Sequence, residues 1–131
     1  NIFFIVDLVM SKYILVFLGA GLGGVFRLLF SSKINEFFPF FPLGTLVVNV
    51  IGSFLIGLII FGLADKQIIN SDMKLFLTVG VCGGFTTFST FSYETLQLFK
   101  NSEFLLGGLN LLLSIILTIL GVYLAYVIFR G

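Results

Sequence analysis

Four long apolar stretches fill almost all of this chain, and they restrict its fold more than any other feature. A helix that crosses a bilayer needs about 20 residues, at roughly 1.5 Å each for a hydrocarbon core of about 30 Å. Residues 12–30, 43–64, 74–98 and 104–129 each meet that requirement. With 59% hydrophobic and 10% charged residues in 131, the chain also falls far short of the roughly 25% charge a soluble domain carries. Its 18 Phe would have no cover in water, so the solvent is lipid. The expected class is an all-α integral membrane protein with four transmembrane helices, multi-pass, forming a single domain over residues 1–131.

The connections are short and polar. Ser31-Ser32-Lys33-Ile34-Asn35-Glu36 leads to Pro39 and Pro42, which stop one helix and prepare entry to the next. Residues 65–72 form the second loop and residues 100–103 the third. Residues 1–9, ahead of Met10, lack the basic start and small-residue cleavage site of a signal peptide. They read as an N-terminal extension, with the functional chain expected to begin near Met10.

Charge and cysteine content exclude several functions. Seven Lys+Arg against six Asp+Glu give a net charge of +1, too balanced for a nucleic-acid partner. One cysteine, Cys82, and no His leave neither a Cys/His zinc site nor a His-based triad, which excludes most enzyme chemistry, and the chain is not expected to be an enzyme. Lys12, Lys66, Lys74 and Arg130 fall on the side of the N-terminus, and Arg27, Lys33 and Lys100 on the other. Four against three is almost no orienting bias, which allows insertion both ways up and antiparallel pairing of two copies; a single orientation set by one or two dominant charges is the plainer alternative.

Polar side chains inside the spans are costly unless they face a partner or a water-filled path. On the second span Thr45, Asn49 and Ser53 recur every four residues, and on the fourth Asn110, Ser114 and Thr118 do the same. Gly19, Gly23 and Arg27 share a face of the first. Helix packing accounts for the glycines and hydroxyls, and headgroup snorkelling for Arg27. Asn49 is harder to explain so, because an unpaired amide in lipid costs more than a hydroxyl that bonds its own helix.

The third span is the least regular. From Gly80 to Glu94 it carries three glycines, five Ser or Thr residues and a carboxylate, a composition that disfavours a continuous helix. A break is expected near its middle, at residues 83–87, where freed main-chain groups could face an ion. Phe88 and Phe91 lie three apart beyond it, and aromatic edges carry partial positive charge that can meet an anion. Core or lipid-facing packing is the competing reading for both. Neutral donors, with Glu94 the only acid well inside a span, favour passive passage of a small anion over a cation path or a proton relay. A proton-coupled multidrug exporter would need a carboxylate in the first span, and none lies between Met10 and Ser32. A non-transporting assembly subunit would leave Asn49 and the Thr/Ser/Phe run without a purpose.

Three motifs in order, residues 19–27 (GAGLGGVFR), 44–54 (GTLVVNVIGSF) and 83–94 (GGFTTFSTFSYE), resemble the Fluc (CrcB-type) fluoride channels of microbial membranes over about residues 10–130. The resemblance implies an antiparallel dual-topology homodimer in the plasma (inner) membrane, exporting cytoplasmic fluoride passively through two pores. Matched residue by residue, it implies that Asn49 coordinates the ion and that Phe88 and Phe91 line the fluoride sites. Thr45, Ser89, Thr90, Ser92, Ser114 and Thr118 then belong to a polar track, Glu94 lies near the pore, and Arg27 sits in the vestibule. It also implies a structural Na+ at the dimer interface, held by the main-chain carbonyls of Gly83 and Thr86. Gly107-Gly108 stand where some members carry a tyrosine of the track.

Overall fold

The computed structural model describes residues 1–131, and all its regular structure is helical. Helix α1 (Ile2–Phe37), α2 (Leu43–Ala64), α3 (Ser71–Lys100) and α4 (Phe104–Phe129) are each long and apolar enough to cross a membrane. Short connections turn the chain back after each, so α1 and the first half of α3 run in the same direction.

Helix α1 is longer than the expected 12–30 at both ends. Asn1 caps it by accepting the Phe3 N–H at 3.2 Å, and no Pro interrupts it before Pro39. The polar run after Phe30 does not stop it, because Ser31 Oγ folds back onto the Arg27 carbonyl at 2.6 Å and competes no further with the backbone. At 1.5 Å per residue, 36 residues span about 54 Å, so α1 outreaches the hydrocarbon core.

At the start of α2, Asn35 near the end of α1 accepts the Gly44 N–H at 2.9 Å and so caps the next helix. Both α2 and α3 contain wide turns with i→i+5 bonding, over Leu58–Ala64 and Phe76–Cys82. Such turns rotate the side chains that follow relative to a regular helix and recur at functional sites.

In α3 the helix stops at Phe85. Thr86 (φ −93°, ψ 155°) and Thr87 (φ −152°, ψ 118°) are extended, and helix resumes over Phe88–Lys100. Thr87 caps the resumed helix, its Oγ1 accepting the Thr90 N–H at 3.2 Å. Glycines bring α1 against the segment just before this interruption: a Cβ on Gly23 would strike the Val81 carbonyl oxygen, and one on Gly84 the Ala20 carbonyl oxygen.

Only 22 of the 131 residues are buried, so most apolar side chains point outward, as a bundle in lipid requires. The interior is unusually polar. Thr45, Asn49, Thr78, Thr95, Asn110 and Ser114 are buried beside Val48, Phe85, Phe91 and a few other apolar residues.

Candidate functional site

Polar residues of α2, α3 and α4 come together on a cavity of about 370 Å³. Asn49, Gly52 and Ser53 line it from α2, Ser114 and Thr118 from α4, and Thr78, Cys82, Gly83, Thr86, Thr87, Phe88 and Phe91 from α3. No charged side chain lines it. Phe88 on its wall is 78% exposed, so a single chain leaves the cavity open on one side.

Asn49 and Thr87 hold the extended segment against α2. Asn49 Nδ2 donates to the Thr87 carbonyl at 3.1 Å, and the Thr87 N–H donates to Asn49 Oδ1 at 2.8 Å. An amide nitrogen carries two hydrogens, so one donor of Asn49 remains for a ligand. The exchange also frees a carbonyl: a continued helix would have given the Thr87 N–H to Gly83. Likewise the Thr90 N–H, the ladder partner of the Thr86 carbonyl, is taken by Thr87 Oγ1. Gly83 and Thr86, both on the cavity wall, thus carry carbonyl oxygens deprived of their helical donors. Arg27 Nε donates to the Gly84 carbonyl at 3.0 Å, meeting the need of the oxygen between them.

The hydroxyls divide by where their protons go. Ser53 donates to the Asn49 carbonyl at 2.7 Å and Thr118 to the Ser114 carbonyl at 2.5 Å, so both present lone pairs to the cavity. Ser114 Oγ is buried without a partner, which leaves its O–H free to donate. The rings of Phe88 and Phe91 lie 5.4 Å apart with planes inclined by 52°.

Not every candidate lies on this cavity. Thr45 Oγ1 donates to Glu94 Oε1 at 2.8 Å, while Glu94 Oε2 is buried and unpartnered. Glu94 lines a second cavity of about 420 Å³, with Asn35, Tyr93, Gln97, Asn101 and the loop Phe38–Pro42. It therefore stands at one mouth of the bundle. Ser89 and Thr90 cluster with Thr87, and Ser92 donates to the Phe88 carbonyl at 2.9 Å; none of the three lines the central cavity. Arg27 lies at the depth of the interruption, bonded to Gly84.

Thr78, Cys82 and Thr87 are wall residues that the sequence reading had not singled out as candidates. A signal was available: Thr78, Cys82 and Thr86 recur every four residues, as do Thr87, Phe91 and Thr95. No group of three or more His, Cys, Asp or Glu side chains is placed to hold a metal ion.

Four membrane-length helices, three of which line an uncharged polar cavity with two phenylalanine rings on its wall, are the architecture of a small membrane transport protein. The chain belongs to the CrcB family: the family described as "CrcB-like protein, Camphor Resistance (CrcB)" matches residues 14–126. It is 45% identical over 120 residues to the fluoride-specific ion channel FluC of Gloeothece citriformis, covering 88% of this chain and 97% of that one. It is 38% identical over 122 residues to the fluoride-specific ion channel FluC of Campylobacter jejuni (strain RM1221), covering 92% of this chain and 99% of that one. With the fluoride-specific ion channel FluC 3 of Methanosarcina barkeri the identity is 35% over 122 residues, covering 93% and 92%.

Proposed function

We propose that this chain is a fluoride-selective ion channel, and not an enzyme, which lets cytoplasmic fluoride leave a microbial cell by passive electrodiffusion. The observation that carries the reading is the charge-free cavity lined together by Asn49, with its spare donor, the unpartnered Ser114 hydroxyl and the rings of Phe88 and Phe91. Neutral donors replace the water a small anion gives up, without trapping it as a fixed cation would. Ring edges add a weak positive field. Chloride is larger and accepts hydrogen bonds less strongly, so a path that replaces water by hydrogen-bond donors favours fluoride.

The working unit is an antiparallel, dual-topology homodimer in the plasma (inner) membrane. The unclosed cavity wall at Phe88 and the near-even Lys/Arg placement support a second, inverted copy as the missing wall. Two copies give two pores. Thr45, Ser89, Thr90, Ser92 and Thr118 extend each path with hydroxyls, Glu94 lies at one mouth, and Arg27 contributes positive charge while it steadies Gly84.

A structural Na+ at the dimer interface fits the interruption in α3. The Gly83 and Thr86 carbonyls, both relieved of their ladder donors, would hold it. Bound there, the cation supplies the positive partner that freed carbonyls need in a membrane interior. Fluoride efflux from proteoliposomes, read with a fluoride electrode and compared with chloride, tests the reading: fast uncoupled fluoride loss supports it, and a silent or proton-dependent sample contradicts it.

A further inference from the structure

The second half of α3 (Phe88–Lys100) packs mainly on α4 and touches little else. Three side-chain ties hold it: Asn49 with Thr87, Thr45 to Glu94, and Asn110 to Thr95. The first two come from α2 and belong to the path already described. The third comes from α4 and lies away from the central cavity.

Asn110 is on the same stripe as Ser114 and Thr118, yet it does different work. It is 2% exposed, and its Nδ2 donates to Thr95 Oγ1 at 2.9 Å. Thr95, 5% exposed, passes its own proton to the Phe91 carbonyl at 2.7 Å. A threonine bonded to its i−4 carbonyl is only a local feature of one helix. Adding an amide donor from another helix fixes that hydroxyl and joins the turn that carries Phe91 to the α4 turn directly preceding Ser114. Phe91 and Ser114 both line the cavity, and Phe91 is itself buried.

We propose that Asn110 and Thr95 form a clamp that positions the Phe91 ring against the Ser114 hydroxyl and so sets the width of the ion path. They are positioning residues and touch no ion. The inference rests on the channel reading and deepens it: a path loosened at this point would admit chloride more readily, because a close fit to the smaller ion would be lost.

The test compares fluoride and chloride efflux from proteoliposomes holding wild type, Thr95→Val, Thr95→Ser, Asn110→Leu and the Val/Leu double variant. Thr95→Val and Asn110→Leu are each expected to slow fluoride about tenfold, the scale of coupling within one hydrogen-bonded network, with the double variant no slower than the worse single. The fluoride-to-chloride ratio should fall in all three, and Thr95→Ser, which keeps the hydroxyl, should match wild type. A purely structural role would lower dimer yield and leave the ratio unchanged. Thr95→Val exchanges one hydroxyl for a methyl and keeps the test decisive if Asn110→Leu fails to assemble. Wild-type rates and ratio in Thr95→Val, equal slowing by Thr95→Ser, or independent effects in the double variant would overturn the clamp alone. A silent wild type would overturn the channel reading and the clamp with it.

Discussion

Asn49 and Thr87 exchange two hydrogen bonds, at 3.1 and 2.8 Å, so the amide on α2 binds the backbone of α3 where the helix is interrupted. One side chain thereby secures the extended segment and retains a donor for the path. Asn49→Asp removes the donor to the Thr87 carbonyl, which costs about 1–3 kcal/mol if the oxygen stays unmet. It also places negative charge on the cavity wall. Fluoride efflux from reconstituted dimers should fall by more than about tenfold, given the Coulomb repulsion at such a distance in a low-dielectric site. Wild-type efflux in this variant would remove Asn49 from the path.

Phe88 and Phe91 differ in burial, at 78% and 6% exposure, although both line the cavity. Phe88→Ile and Phe91→Ile keep apolar bulk and lose the aromatic edge. Each should slow fluoride roughly two- to tenfold, the equivalent of an aromatic interaction worth 0.5–1.5 kcal/mol. The variants should still elute as dimers. Flux equal to wild type would assign the rings to packing alone.

Two adjacent glycines in α1 give a test of the packing with its own control. A Cβ on Gly23 would collide with the Val81 carbonyl and come within 2.7 Å of the Phe85 backbone nitrogen, whereas one on Gly24 would meet nothing within 4 Å. Gly23→Ala should destabilise the fold by about 1–3 kcal/mol through overpacking. Gly24→Ala should be neutral or slightly stabilising, since alanine is the better helix former. Thermal unfolding in detergent reads both, and equal midpoints would contradict the backbone contact between α1 and α3.

The Na+ proposed at the carbonyls of Gly83 and Thr86 predicts a sodium dependence. Replacing Na+ by choline throughout purification should lower the unfolding temperature of the protein, because a cation that binds only the folded assembly stabilises it by mass action. Readdition of Na+ should restore it. A midpoint indifferent to Na+ would leave those oxygens without a cation.

The four spans could be read directly from the sequence because apolar length is a strong signal; of the α2 stripe Thr45, Asn49 and Ser53, the last two line the cavity, while Thr45 bonds Glu94 away from it. The length of α1 was hidden, since residues 31–37 look like a loop by polarity but contain no breaker, and Ser31 satisfies itself on Arg27. The stripe on α4 was misleading at one position. Asn110 shares the spacing of Ser114 and Thr118, but its partner Thr95 is a long-range contact that no local pattern reveals. Arg27 reads from the sequence as a group near the end of the first span; its bond to the Gly84 carbonyl is a long-range contact that no local pattern reveals.

The most direct test is the reversal potential of a planar bilayer holding many copies, with a fluoride gradient across it and chloride and pH varied independently. The expected zero-current voltage follows the fluoride equilibrium potential and ignores both chloride and protons. A voltage that tracks chloride, or shifts with a pH gradient, would contradict passive fluoride conduction through this cavity.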